Sequence, residues 1–125
     1  MRILLDTHVF LWAVAGSSLL KPPVRRLIEA AESVHVSAAS IWEIAIKARL
    51  GKREADPNAL AAAVEPSGFR ELPVRASHAA GVLALAPHHN DPFDRLLIAQ
   101  ALAEPLRLVT ADATLARYSD IVLVV

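Results

Sequence analysis

Short aliphatic runs alternating with segments of helical spacing predict an α/β domain. It would have three layers, α/β/α, with a central, mainly parallel sheet covered on both faces. Three observations carry this reading. Residues 2–5, 34–36 and 106–109 are brief, nearly continuous apolar runs, the pattern of strands buried on both faces rather than one. Proline, glycine and Asp-Pro signals separate them from amphipathic stretches. Acids stand directly after two of the runs, Asp6 and Asp112, where open α/β sheets gather their ligands.

Taken in order, residues 2–5 form the first strand, and residues 9–15 a helix stopping near Gly16. Lys21-Pro22-Pro23 opens a second helix reaching about residue 32, with Arg25, Arg26, Glu29 and Glu32 as a solvated face. Residues 34–36 are the second strand, and SIWEIAIKARLGK is a third helix with Gly51 as its stop. Ile41, Ile44, Ala45 and Ala48 share one stripe of it, and Glu43 falls to the side. Asp56-Pro57 starts a helix through about residue 64, residues 69–74 are a short strand interrupted at Pro73, and residues 76–85 are an Ala-rich helix. In that helix His78 reads as a packing or surface residue rather than a ligand. Asp91-Pro92 caps and opens the helix that carries Phe93, Leu96, Leu97 and Ile98, ending near Glu104-Pro105. Residues 106–109 and 121–125 are the last strands.

Composition sets limits. A chain of 125 residues is most simply one domain, spanning 1–125, with room for a sizeable core. Hydrophobic residues reach 54%, more apolar surface than one small fold readily hides, which points to a homodimer or a bound partner. Thirteen basic and thirteen acidic residues cancel, so contact with nucleic acid must be local. With no cysteine, disulfides and thiolate metal sites are excluded and a reducing compartment is permitted. No apolar run has membrane-spanning length, and MRILLDTH lacks the long apolar stretch of a signal peptide. The expectation is a soluble, cytoplasmic protein with no membrane partner.

Four acids form the candidate site. Right-handed crossovers bring the C-terminal ends of parallel strands to one edge. Asp6 and Asp112 lie there, and Asp94 in a first helical turn points the same way, stabilised in ionised form by the helix dipole. Glu43 joins them from the helix after the second strand, if its carboxylate turns over the sheet edge. Two other readings stand for Glu43: a capping box with Ser40, and an ion pair with Lys47. Asp6 has a second reading as the N-cap of the following helix, a duty that Thr7 offers to take instead, and Asp91 is read as a cap alone. Clustered carboxylates repel unless a cation neutralises them. Four together suit an oxygen-only site for Mg²⁺ or Mn²⁺, able to activate water against a phosphodiester. Thr110 would hold a carboxylate or a metal-bound water. Arg95 and Lys47, with Arg49 and Lys52, are candidate substrate contacts, and the adjacent His88 and His89 are candidate metal or phosphate binders. Trp12 and Trp42 fit partner or dimer contacts better than base stacking.

LLDTH, SAASIWEIAIKARLGK, HNDPFDRLLIAQA and LVTAD, in that order, resemble the PIN-domain family, and more closely its VapC-type branch of toxin ribonucleases from toxin–antitoxin pairs. The resemblance spans nearly the whole chain. It implies a PIN fold, divalent-metal endoribonuclease activity on RNA, homodimerisation and inhibition by a cognate antitoxin. It carries Asp6, Glu43, Asp94 and Asp112 over as catalytic metal ligands, with Thr110 beside the last acid, and favours the ligand role of Glu43. Two alternatives remain open: a non-catalytic protein-interaction module, and a receiver-like phosphoacceptor domain. The latter would need an acid beside Asp6 and a late lysine, whereas the last lysine is Lys52.

Overall fold

The computed structural model describes residues 1–125. Five strands, β1 (Arg2–Leu5), β2 (Ser33–Ser37), β3 (Arg70–Leu72), β4 (Arg107–Thr110) and β5 (Val122–Val124), form one sheet in the order β3-β2-β1-β4-β5. Every neighbouring pair is parallel, so the sheet is wholly and not just mainly parallel. The helices are α1 (Thr7–Ala15), α2 (Pro22–Ala30), α3 (Ala38–Arg49), α4 (Pro57–Ala63), α5 (Ala76–Gly81) and α6 (Pro92–Ala103). Short 3₁₀ turns occupy Val82–Ala84 and Ala113–Arg117. This strand order differs from the 2-1-3-4-5 order of receiver-like domains, which removes that alternative.

Strand alternation builds the two faces. Ile3, Leu5, Val34, Val36 and Val109 pack on one side with Val9 and Phe10 of α1, Val24 of α2 and Ile44 of α3. Leu4, Leu72, Leu108 and Val122 face the other side, against Leu97, Ile98 and Ala101 of α6. Leu4, Leu5, Leu97 and Leu108 are fully buried, each contributing roughly 1.5–3 kcal/mol by leaving water. Successive strands run from β1 out to β2 and β3, and the chain then crosses back to place β4 on the other flank of β1. The direction of winding reverses between β1 and β4, where such sheets open a crevice. Register pairs Leu5 with Val109, so the residues that follow both strands emerge side by side.

Several elements depart from the sequence reading for identifiable reasons. The α3 helix begins at Ala38, because Ser37 is its N-cap and accepts the Ala39 amide at 3.0 Å. Ser40 is therefore already inside the helix, and the Ser40–Glu43 capping box is not formed. The buried residues of α3 are Ala39, Ser40, Glu43 and Ile44, so Glu43 lies on the packed face and not beside it. The α5 helix stops at Gly81 instead of reaching residue 85. Beyond it a single 3₁₀ turn closes with the Leu85 amide on the Val82 carbonyl, and the carbonyls of Val82, Leu85 and Ala86 also accept from the Arg95 guanidinium. Gly51 does end α3, at φ 71°, with its amide on the Ala48 carbonyl and that of Lys52 on the Lys47 carbonyl.

A buried polar chain ties α5 and α6 to the end of β2. The Ser37 hydroxyl donates to Gln100 Oε1 at 2.6 Å, and Gln100 Nε2 donates to the Pro73 carbonyl at 3.2 Å. His78 Nδ1 accepts the Arg75 amide, which leaves Nε2 as the N–H that reaches Glu104 at 2.8 Å. His78 is thus a buried structural residue. Gln100→Leu should lower unfolding free energy in urea by about 1–3 kcal/mol, since Ser37 and Pro73 lose a buried partner. An unchanged denaturation midpoint would remove this chain from the list of stabilising contacts.

Candidate functional site

Five carboxylates, of Asp6, Glu43, Asp91, Asp94 and Asp112, line one cavity of about 290 Å³ together with Lys47, His8, Trp12 and Ala111. All four acids singled out in the sequence therefore face one cavity, and Asp91 joins them. The cavity opens at the C-terminal edge of β1 and β4, as the winding reversal requires.

Each acid is fixed by its own neighbours. Asp6 follows β1, where its amide still bonds the Val109 carbonyl of β4 at 3.0 Å. Its Oδ1 caps α1 through the Val9 amide, and its Oδ2 accepts the Thr110 hydroxyl at 2.5 Å. Capping and cavity lining are thus combined in one side chain, and Thr7 does not take the cap. Thr7 instead donates its hydroxyl to Glu43 Oε1 at 2.7 Å, with Ser40 Oγ beside it at 3.0 Å. Glu43 is only 3% exposed, and its Oε2 meets Lys47 Nζ at 2.5 Å. The i,i+4 pair expected of a solvated helix is here a half-buried ion pair over the cavity.

Asp91 is the N-cap of α6, accepting the amides of Phe93 and Asp94. Asp94 occupies the first turn, and its Oδ2 lies 2.9 Å from His89 Nε2. Asp112 caps the Ala113–Arg117 turn with Oδ1, which takes the Thr114 amide and hydroxyl. Thr110 bridges the two strand-end acids: its hydroxyl donates to Asp6 and accepts the Asp112 amide at 3.0 Å.

Electrostatics divide the acids. Burial pushes the Asp6 carboxyl above the usual carboxylate range, against the opposing hydrogen bonds from Thr110 and Val9. Asp94, expected from its place in the first helical turn to be stabilised in ionised form, is instead pushed up to about 6, first by burial and next by the charge of Asp91, with the His89 hydrogen bond pulling down. Asp112 is held low by the Thr114 hydroxyl. Two of the acids are therefore costly to ionise where they stand, the condition a bound cation relieves. The donor set is carboxylate oxygen, suited to a hard divalent ion such as Mg²⁺ or Mn²⁺.

Two neighbouring residues sit differently from the sequence reading. The Arg95 guanidinium does not reach the cavity. It donates to the carbonyls of Val82, Leu85, Ala86 and His89 and to the Tyr118 hydroxyl, at 3.0–3.4 Å, and so clamps the loop before α6. Its donors are directed to that loop and not to the cavity. His89, treated in the sequence only as one of a pair, forms with Asp94 and Asp112 a group whose ligand atoms lie within 4.8 Å of one another. Its partner His88 turns away, edge-on to Tyr118. The HHNDP spelling gave the pair but not which ring faces the acids. Trp42, 59% exposed, lies edge-on to Phe93, and Trp12 lines the cavity.

Residues 3–121 match the PIN domain family, and the chain belongs to that family. No curated protein sequence matches it significantly. Among solved structures, the chain superposes on VapBC2 from Rickettsia felis, bound to a promoter DNA fragment. That match has a TM-score of 0.71 and 15% identity over 100% of this chain and 98% of the other. A toxin–antitoxin complex from Klebsiella pneumoniae gives 0.69 at 17%, covering 97% and 95%. The sarcin–ricin-loop-cleaving toxin VapC20 from Mycobacterium tuberculosis gives 0.61 at 18%, covering 94% and 97%. At these identities the likeness is one of fold. No helix is long and apolar enough to cross a membrane.

The raised Asp94 carboxyl fixes a sign for the metal-free protein. An acid near 3.8 when unfolded and about 6 when folded gives up its proton more readily in the unfolded chain. Metal-free stability should therefore be lost as pH rises from about 4 through 6, by on the order of 3 kcal/mol at most. Asp94→Asn should flatten that fall, read from urea midpoints across pH 4–8 in a chelator. A slope equal to that of the unaltered protein would show that Asp94 ionises freely.

Proposed function

We propose that this protein is a divalent-metal-dependent endoribonuclease, the toxin of a toxin–antitoxin pair, cutting RNA phosphodiester bonds by hydrolysis. The observation that carries the reading is the convergence of Asp6, Glu43, Asp94 and Asp112, from four separate elements, on one cavity. Membership of the PIN domain family supports the nuclease class. The toxin–antitoxin assemblies and the ribosomal-loop-cleaving toxin that share the fold support the biological setting. RNA as substrate and an antitoxin as partner are part of the proposal, as is a cytoplasmic site of action.

In this reading Asp6, Glu43, Asp94 and Asp112 hold Mg²⁺ or Mn²⁺, which when bound polarises water and offsets charge on the scissile phosphate. The chain's own groups prepare the place. Thr110 fixes the Asp6 carboxylate and Thr7 fixes Glu43, so neither has to be ordered when substrate arrives. Lys47 neutralises Glu43 and stands at the cavity wall, where its remaining N–H groups can meet a phosphate oxygen. Trp42, Leu50, Leu83 and Leu19 are each more than half exposed, which supports burial against an antitoxin or a second copy in a homodimer.

The test is cleavage of labelled RNA by purified protein with Mg²⁺ or Mn²⁺. Asp94→Asn should lower the rate by at least about 100-fold while circular dichroism stays native, and a chelator should abolish cleavage. Millimolar Mn²⁺ should also raise the melting temperature of the unaltered protein. RNA cleavage unaffected by both the chelator and the substitution would overturn the mechanism. If Mn²⁺ causes no thermal shift, the acids serve the fold alone, as caps and ion-pair partners, and the non-catalytic reading prevails.

A further inference from the structure

Resting on the metal-site reading above, we infer that His89 is a nitrogen ligand of the ion held by Asp94 and Asp112, and that the site therefore favours Mn²⁺ over Mg²⁺. His89 Nε2 lies 2.9 Å from Asp94 Oδ2. That is the edge length between adjacent ligands of an octahedral ion with bonds of about 2.1 Å. The ligand atoms of His89, Asp94 and Asp112 fall within 4.8 Å of one another, somewhat wider than the roughly 4.2 Å between opposite ligands of such an ion, so binding draws the three side chains together by about half an ångström. One ion can therefore replace the His89–Asp94 hydrogen bond with little movement of either side chain.

The loop bearing His89 is built to keep the ring there. Arg95 Nη1 donates to the carbonyls of Ala86 at 3.0 Å and His89 at 3.4 Å, and to the Tyr118 hydroxyl at 3.0 Å. The Tyr118 hydroxyl donates in turn to the same His89 carbonyl at 3.4 Å. The backbone of His89 is gripped from α6 and from the segment after β4, the same two parts of the chain that supply Asp94 and Asp112. The four acids alone would form an all-oxygen site, the kind Mg²⁺ accepts. An imidazole in the set gains more for a first-row transition ion, because Mg²⁺ keeps oxygen ligands and water by preference.

The experiment uses the full chain with MnCl₂ or MgCl₂ as the only added ligand. Pulsed EPR of the Mn²⁺ complex should show coupling to a directly bound ¹⁴N, and His89→Ala should abolish it while His88→Ala leaves it intact. By calorimetry, His89→Ala should raise the Mn²⁺ Kd about tenfold or more. It should change the Mg²⁺ Kd by less than about threefold. Mn²⁺ bound without nitrogen coupling would overturn the inference and leave His89 a hydrogen-bond donor to Asp94, with the metal-site reading intact. Binding of neither ion would overturn both. Because the nitrogen signal is read on the unaltered protein, it does not depend on any variant folding.

Discussion

Gathering like charges is the constraint around which this molecule is arranged. Five carboxylates share a cavity with one lysine, and two of the acids are largely out of water. Such a grouping is unfavourable unless each charge is met by a fixed dipole or an opposite charge. The fold supplies these at close range: helix N-termini beneath Asp6 and Asp91, threonine hydroxyls on Asp6 and Glu43, an ammonium on Glu43 and an imidazole on Asp94. Capping, which taken alone would explain away an acid in a sequence, is here the means by which its carboxylate is aimed.

The sheet topology makes this possible at small expense to the core. Because β1 and β4 are neighbours, Asp6 and Asp112 need no reaching side chains or irregular backbone to meet. The Thr110 hydroxyl spans them both. Helix α6 then brings Asp91 and Asp94 by its first turn, while Leu97, Ile98 and Ala101 further along the same helix anchor it to the sheet. The parts of α6 that hold the fold and the parts that face the cavity are one turn apart.

Strands buried on both faces, Asp-Pro starts and glycine stops were legible because each is a local signal written in adjacent residues. The positions of Asp6 and Asp112 were legible too, since they follow from where strands end. Glu43 was legible only as a choice among three roles: the capping box fell away because Ser37 and not Ser40 caps α3, one turn earlier than the pattern suggested, while the Lys47 pair is formed. Its contact with Thr7 joins residues 36 apart and leaves no trace in spacing. The position of Arg95, a candidate substrate contact in the sequence, was hidden for the same kind of reason. A basic residue beside an acid reads as a surface charge, yet its partners are backbone carbonyls of a loop whose shape no periodicity announces.

One contact has a consequence for how the protein is made. The hydrogen bond between Thr110 and Asp6 joins residues 104 positions apart, and β4 is threaded beside the very first strand. A nascent chain thus has no assembled acidic cavity until β4 has emerged from the ribosome and paired with β1. Whatever chemistry the cavity performs is therefore acquired late, when the two most distant ends of the sheet's central pair close on each other.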